Sequence, residues 1–184
     1  MRQRLIATLA ALTATTTTLL AGGGPTEQAS ASRGAYLVTI MSCHDCHTPF
    51  KMGPNGPEPD MTRMLSGHPQ DLAMPPAPKL GDGPWVWVGA GTNTAFAGPW
   101  GTSFSANLTP DPETGIGKWT AKTFIDTVRN GRYDAVGRPL LPPMPFPYIA
   151  AATDDDLKAI FAYLQSIPPV KNRVPQPVDP TESH

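Results

Sequence analysis

Prolines restrict the fold of this chain more than any other feature of its sequence. The chain has 23 prolines among its 184 residues, together with 17 glycines. Proline lacks a backbone N–H, and glycine loses more conformational freedom in a helix than other residues do, so much of the backbone is expected in turns and loops. A small core within long loops needs a further source of stability, such as a metal or a bound cofactor.

Three segments nevertheless carry helical signals. Residues 32–41 are rich in apolar side chains and run into the cysteine-containing stretch, with Ser32 as the N-cap. A second helix is predicted over residues 120–130, where apolar residues share one face and a glycine follows. A third is predicted between Thr153 and Pro168, with three aspartates in its first turn, where the helix dipole favours negative charge. The residues expected to be buried on the second and third helices are Phe124, Ile125, Val128, Leu157, Ile160, Phe161 and Leu164.

The remaining segments predict little regular structure. Residues 49–84 show no periodicity and are interpreted as an extended loop, whereas residues 85–97 predict a small β-hairpin whose first strand is 85–88. The tail, residues 169–184, is proline-rich and polar, and is interpreted as an extended or disordered arm. The fold class predicted is therefore mainly α, with crossed terminal helices coming from the resemblance given below. Three helices cannot bury all of their apolar side chains, so a large apolar group is expected in the core.

The N-terminus has the three-part pattern of an export signal. Arg2 and Arg4 are followed by an uncharged stretch over residues 5–20, and residues 29–31 form a small-x-small site. Residues 1–31 are therefore predicted to be a secretory signal, and the protein is expected to be exported to the periplasm. An uncleaved membrane anchor is the alternative.

The charge balance and hydropathy exclude two broad classes of protein. The formal net charge is −1, whereas binding to nucleic acid requires a basic surface. No stretch after the predicted signal is apolar for the roughly 18 residues that a membrane helix needs.

The two cysteines of the chain lie in the stretch "SCHDCHTPF", as Cys43 and Cys46, and His47 follows directly. A disulfide between them would close a very small loop and would stabilise the fold little. A C-x-x-C-H motif after an export signal is typical of c-type haem attachment. The two thiols would add to the two vinyl groups of one haem, and His47 would be the proximal ligand of its iron.

Two other interpretations of the motif stay open at this point. A C-x-x-C pair can be half of a zinc site, but such sites use four ligands, and the histidines outside the motif, His68 and His184, are distant in the sequence. A C-x-x-C pair can also be a redox dithiol on a thioredoxin-like fold, but that fold requires a βαβ pattern that the sequence does not show.

The second axial ligand determines what the haem can do. Met144 is the preferred candidate, because it lies between prolines in "LPPMPFP", and a rigid extended loop can hold a sulfur over the iron. Met74 in "AMPPAP" is the main rival, and His68 would give bis-histidine ligation instead. Met41 is too close to the cysteines to reach the opposite face, and His44 is expected to point away from the iron.

Two functions follow from these ligand sets. Ligation by His47 and Met144 predicts an electron-transfer protein that is not an enzyme, has no small-molecule substrate and exchanges electrons with redox proteins such as a dehydrogenase, an oxidase or other cytochromes. An open or displaceable sixth site would instead predict a haem enzyme or ligand sensor. The polar pair needed for such chemistry could only come from His68 near Arg63.

Four stretches carry a resemblance to a known family. They are "RGAYLVTIMSCHDCHTP", "FSANLTPDPETGIGKWT", "VRNGRYDAVGRPLLPPMPF" and "DDDLKAIFAYLQSIPPVKNRVP". With them the chain resembles bacterial monohaem c-type cytochromes of class I, in particular the cytochrome domains that accompany periplasmic alcohol and sugar-acid dehydrogenases. Dehydrogenase subunits of this family often carry three haems, whereas this chain has one C-x-x-C-H motif.

The resemblance implies a class I cytochrome c domain over residues 32–168, with one covalent haem c and its iron as cofactor. It implies that the first and last helices cross, with Gly34 or Tyr36 against Phe161 or Tyr163, and it matches Met144 to the methionine ligand. Donors for the haem propionates would come from among Trp100, Asn107, Trp119, Arg129, Arg132 and Arg138.

Overall fold

The computed structural model describes residues 25–180, and within them five α-helices accompany two small antiparallel sheets. The helices are α1 (Pro25–Ile40), α2 (Cys43–His47), α3 (Ala121–Asn130), α4 (Phe146–Ile149) and α5 (Asp154–Ser166). The strands are β1 (Phe50–Gly53), β2 (Gly56–Pro59), β3 (Val88–Gly89), β4 (Ala95–Gly98) and β5 (Gly101–Phe104). No helix in this part of the chain is long and apolar enough to cross a membrane.

The first helix is longer than the sequence predicted. It begins at Pro25 rather than after Ser32, because proline lacks an N–H that the first helical turn does not need. Most of the predicted export signal, residues 1–24, lies outside the described residues, and its remainder lies in α1. The helix ends at Ile40, and Ser42 has a left-handed backbone with φ 55°, so that the chain turns sharply into α2.

Helices α1 and α5 pack closely against each other. Gly34 is buried in their contact, and a Cβ atom at this position would overlap the carbonyl oxygen of Ala159 and lie 2.7 Å from Cβ of Tyr163. The missing side chain lets the two backbones approach. The predicted packing of Gly34 against Tyr163 is confirmed.

The end signals predicted for the two later helices are also confirmed. The hydroxyl oxygen of Thr120 accepts a hydrogen bond from Thr123 N at 3.1 Å, and Thr153 caps α5 by accepting from Asp156 N at 3.1 Å. Gly131, with φ 62°, ends α3 in the left-handed conformation that glycine adopts without strain.

The hydrophobic core lies between α1, α3 and α5. Of the residues predicted to be buried, Phe161 and Ile125 are only partly buried, and the ring of Phe161 lies 5.6 Å from that of Phe124. The fully buried members of the core on these helices are Leu37, Val38, Phe124, Val128, Leu157, Ile160 and Leu164.

The structure contains more β-structure than the prediction of a mainly α protein. The hairpin near residues 85–97 is present, but its first strand is β3, and Trp85 before it is 78% exposed. Strand β5 pairs with β4 and was not predicted. Strands β1 and β2 form a separate hairpin inside the segment interpreted as a loop, and proline is tolerated there because both strands are edges.

The tail is ordered against the body of the protein as far as it is described, which corrects the interpretation as a disordered arm. Asn172 is 1% exposed, and Val178 pairs with Thr102 of β5. The Asn107 amide donates to Val170 O at 2.8 Å. Polar side chains of the loops thus hold this proline-rich segment in an extended path. Residues 181–184 lie outside the described part of the chain.

Candidate cofactor site

Helix α2 presents the cysteine motif to an apolar cavity. Because the helix is only five residues long, one turn brings Cys43, Cys46 and His47 to the same wall. The cavity has a volume of about 320 Å³. Its apolar walls include Val38, Phe96, Leu108, Ile116, Phe124, Val128, Ile160 and Leu164.

His47 is held in one orientation by the backbone. Its Nδ1 donates a hydrogen bond to the carbonyl oxygen of Ala106 at 2.8 Å, and the imidazole is buried. Burial lowers the pKa of His47, and the bond to Ala106 offsets this effect in part. A neutral imidazole with a proton on Nδ1 keeps the lone pair of Nε2 available for a metal.

The cysteines are free thiols rather than a disulfide. Burial raises the pKa of Cys43 to about 11 and also raises that of Cys46. Both groups are therefore neutral thiols at neutral pH.

Met144 reaches the same cavity from the other end of the sequence. It lies between Pro143 and Pro145, which also line the cavity, directly before α4. Of the six methionines within residues 25–180, Met144 and Met41 line this cavity.

The other methionines lie elsewhere. Met74, the main rival, is 37% exposed and does not line the cavity. Met52 and Met61 are exposed, and Met64 packs against the core.

The histidines considered as alternatives do not face the cavity. His68 is fully buried, with Nδ1 3.0 Å from Thr94 Oγ1 and Nε2 3.0 Å from the carbonyl oxygen of Leu72, so both ring nitrogens are engaged. His44 Nδ1 lies 3.0 Å from Thr48 Oγ1. Arg63, the predicted partner of His68 in a reactive site, pairs with Asp71 at 3.4 Å.

Three polar side chains lie together on the cavity wall. The rings of Trp119 and Tyr133 are 5.4 Å apart, and the guanidinium of Arg138 lies 5.3 Å from the Tyr133 ring. Burial raises the pKa of Tyr133 and lowers that of Arg138. Within residues 25–180 no carboxylate pairs with Arg138, so this cation is available to an anionic group in the cavity.

The other predicted donors serve different parts of the fold. Arg129 pairs with Asp154 at 2.8 Å, and Arg132 donates to Gly137 O at 2.9 Å. Trp100 donates to Ser103, and Asn107 holds the tail.

Sequence reasoning missed three contributors to the site. Ala106 contributes only its carbonyl oxygen, which no residue type signals. Tyr133 and Ser103 also line the cavity. No motif marked them, because their positions depend on contacts between distant segments.

The residues around the cavity fit a c-type haem. A buried imidazole with a free nitrogen, two neutral thiols and a thioether converge on an apolar space. A zinc site is not supported, because within residues 25–180 no three His, Cys, Asp or Glu side chains converge as metal ligands. A thioredoxin-like site is not supported either, because both sheets of the described chain are antiparallel.

Comparison with known proteins gives relatives of one kind, although no family model matches the chain. It is 31% identical over 153 residues to the cytochrome c subunit of the quinone alcohol dehydrogenase of Gluconobacter oxydans, covering 81% of this chain and 24% of that subunit. It is 30% identical over 137 residues to the fructose dehydrogenase cytochrome subunit of Gluconobacter japonicus, covering 74% of this chain and 21% of that subunit.

A shorter match is stronger in identity. The chain is 43% identical over 76 residues to the gluconate 2-dehydrogenase cytochrome c subunit of Pantoea cypripedii, covering 41% of this chain and 17% of that subunit. The chain thus spans about a quarter or less of the length of the curated relatives it matches. The resemblance to cytochromes that accompany dehydrogenases is confirmed.

Proposed function

We propose that this relative of dehydrogenase cytochrome c subunits is a periplasmic electron-transfer protein with one covalently attached c-type haem. The observation that carries the proposal is the convergence of Cys43, Cys46, His47 and Met144 on one apolar cavity, with His47 oriented by Ala106. The crossing of α1 and α5 supports a class I cytochrome fold around this cavity.

The thiols of Cys43 and Cys46 serve as the covalent anchors. Each S–H adds across one vinyl double bond, so the sulfur bonds to one carbon, a hydrogen goes to the other, and nothing is oxidised or reduced overall. Because both cysteines lie on the same helical turn as His47, the two links fix the position of the haem relative to the imidazole.

His47 and Met144 provide the axial ligands. His47 offers Nε2, and the acceptor at Ala106 makes the imidazole more basic by drawing on its Nδ1 proton. Met144 offers its thioether sulfur, which raises the reduction potential of a haem. The haem, when bound, supplies one-electron chemistry between ferrous and ferric iron.

The apolar walls and the polar cluster have different roles. The apolar side chains exclude water from the iron, which disfavours the extra charge of the ferric state. Trp119, Tyr133 and Arg138 offer hydrogen-bond donors to an anionic propionate.

The proposed partners are redox proteins. The relatives are named as cytochrome subunits of alcohol, fructose and gluconate dehydrogenases, so a dehydrogenase is the proposed electron donor. An oxidase or another cytochrome is the proposed acceptor. Such encounters use small surfaces and are brief, and the protein itself takes no small-molecule substrate.

Absorption spectroscopy tests the proposal. The protein, produced with a c-type maturation system, is expected to give a pyridine haemochrome of one haem per chain. Its ferric form is expected to show the weak near-infrared band of methionine sulfur bound to iron. Met144→Ala should abolish that band and lower the potential, whereas Met74→Ala should leave both unchanged.

Two results would count against the proposal. A colourless mature protein would remove the haem itself. Ready binding of carbon monoxide to the unmodified ferrous protein would favour an open sixth site, and with it a haem enzyme or ligand sensor, over His/Met ligation.

A further inference from the structure

The segment that carries Met144 has few hydrogen bonds of its own. Residues 142–145 include three prolines, so Met144 has the one backbone N–H among them, and this group donates locally to Leu141 O at 3.2 Å. Proline restricts φ, but it does not fix where a segment lies relative to the rest of the protein. That position must come from contacts with other elements.

Ser103 supplies such a contact. Its hydroxyl oxygen lies 2.6 Å from the carbonyl oxygen of Pro142 and 3.4 Å from that of Phe96. A hydroxyl donates only one proton, and the shorter distance assigns it to Pro142. Within residues 25–180, this is the one hydrogen bond that reaches residues 141–144 from another part of the chain.

The strand that carries Ser103 is itself fixed. Strand β5 pairs with β4 along one edge. Along its other edge, Thr102 and Val178 exchange two backbone hydrogen bonds of 2.8 and 2.9 Å. The indole N–H of Trp100 also donates to Ser103 Oγ at 3.3 Å, and the Ser103 side chain is buried. Ser103 is therefore a buried donor on a strand with partners on both edges.

We infer that Ser103 is a positioning residue for the sixth ligand, holding the sulfur of Met144 in place through the Pro142 carbonyl two residues before it. The inference rests on the proposed ligation by His47 and Met144. Loss of the bond would leave the thioether present but would let its segment move away from the iron more often, so the fraction of protein with an open sixth position would rise.

Imidazole is the probe that measures this fraction. Added imidazole binds ferric iron only where Met144 has dissociated, so its apparent affinity rises in proportion to the open population. Ser103→Ala is expected to bind imidazole about fivefold more tightly than the parent, the factor that a neutral hydrogen bond typically contributes to an equilibrium. Its near-infrared sulfur band should weaken in the same titration.

Two further variants separate positioning from general stability. Ser103→Thr keeps the hydroxyl and should restore the affinity of the parent. Ser66→Ala is the matched control, because Ser66 is a buried serine whose hydroxyl has no partner and which does not line the cavity. It should leave imidazole affinity unchanged.

The outcomes of the titration are distinct. If Ser103→Ala lowers the melting temperature but leaves imidazole affinity and the sulfur band as in the parent, Ser103 is only structural and the inference is overturned. If the parent itself lacks the sulfur band and Met144→Ala binds imidazole as the parent does, the proposed ligation fails and the inference fails with it.

Discussion

His47 and Ala106 are 59 residues apart in the chain, yet Nδ1 of the imidazole lies 2.8 Å from the Ala106 carbonyl oxygen. The segment between Gly67 and His68 bridges the two. Gly67 N donates to His47 O at 2.8 Å, and His68 N donates to Ser105 O at 2.9 Å. The candidate ligand and its acceptor are therefore held by the same two residues.

Gly67→Ala is expected to disturb this arrangement. Gly67 has φ +77°, and a Cβ atom there would overlap Ser105 O and lie 2.6 Å from the carbonyl carbon of Ala106. The substitution combines a backbone conformation unfavourable to alanine with a clash against backbone that cannot rotate away. We expect a loss of about 3 kcal/mol in the free energy of unfolding, measured by urea titration.

Gly56→Ala is the matched control. Gly56 also has a positive φ, of +117°, but no atom lies within 4 Å of the Cβ position. Only the conformational cost applies, so Gly67→Ala should be more destabilising than Gly56→Ala by about 1–3 kcal/mol. Equal losses in the two variants would show that the close approach to residues 105–106 does not matter.

The parts of this protein that the sequence predicts are those set by local chemistry. The cap at Thr153, the aspartates after it and the apolar spacing identify α5, because each signal lies within a few residues of the helix. Likewise Cys43, Cys46 and His47 share one helical turn, so their spacing alone indicates their common direction. Gly34 at the helix crossing came from the family resemblance.

The parts that the sequence does not predict depend on contacts between distant segments. Ser103 meets Pro142 across 39 residues, and Asn172 meets Ser66 across 106. The acceptor in both contacts is a backbone carbonyl, which every residue carries, so neither residue type indicates the partner. The same reason explains the tail, whose composition suggests an arm but whose place is fixed by buried hydrogen bonds.

Gly34→Ala tests the helix crossing. Alanine is better than glycine in a helix by about 1 kcal/mol, so propensity alone predicts stabilisation. The structure predicts the opposite, because the added Cβ would overlap the Ala159 carbonyl oxygen and force α1 and α5 apart. We expect a net loss of about 3 kcal/mol in the free energy of unfolding, measured by chemical denaturation.

An exposed position on the same helix provides the comparison. Ser32 lies on the solvent side of α1, so Ser32→Ala should be neutral or slightly stabilising. A Gly34→Ala variant that is as stable as Ser32→Ala would contradict the close contact of α1 and α5.

Asn172→Ala tests the attachment of the tail. The Asn172 amide donates to Ser66 O at 2.7 Å and to His68 O at 2.8 Å, and its oxygen accepts from Gln70 N at 2.9 Å. Truncation would leave two buried carbonyl groups and one N–H without these partners. We expect a loss of about 2–4 kcal/mol, measured by thermal or urea unfolding.

Protease sensitivity should change with the same substitution. If the Asn172 bonds hold the tail, limited proteolysis of Asn172→Ala should cut within residues 169–180 faster than in the parent. Asn130→Ala, which removes an exposed amide at the end of α3, should leave both stability and cleavage unchanged within about 0.5 kcal/mol. A tail cleaved equally fast in the parent and in Asn172→Ala would show that these bonds do not restrain it.

The acid side of the stability profile should depend on His68. This histidine is fully buried with both ring nitrogens in hydrogen bonds, and burial lowers its pKa from the ordinary 6.5. The unfolded chain therefore binds a proton at a higher pH than the folded protein does. Stability from the neutral imidazole is present above about pH 6.5 and is lost as the pH falls below that value.

His68→Gln should flatten this part of the profile. Urea unfolding of the haem-loaded protein between about pH 7 and pH 5 is expected to show a stability that falls by at most about 1.4 kcal/mol per pH unit in the parent and by clearly less in the variant. Carboxylates do not interfere, because hydrogen bonds from Thr62 and Thr114 lower the pKa values of Asp60 and Asp111 below their ordinary 3.8.

His44 is the competing source of such a slope, since burial lowers its pKa as well. His44→Gln is therefore measured in parallel. A slope that persists in His68→Gln and disappears in His44→Gln would assign the acid sensitivity to the turn beside the cysteines. A slope that disappears only in His68→Gln would assign it to the buried bonds with Thr94 and Leu72, which also keep this imidazole from serving as a haem ligand.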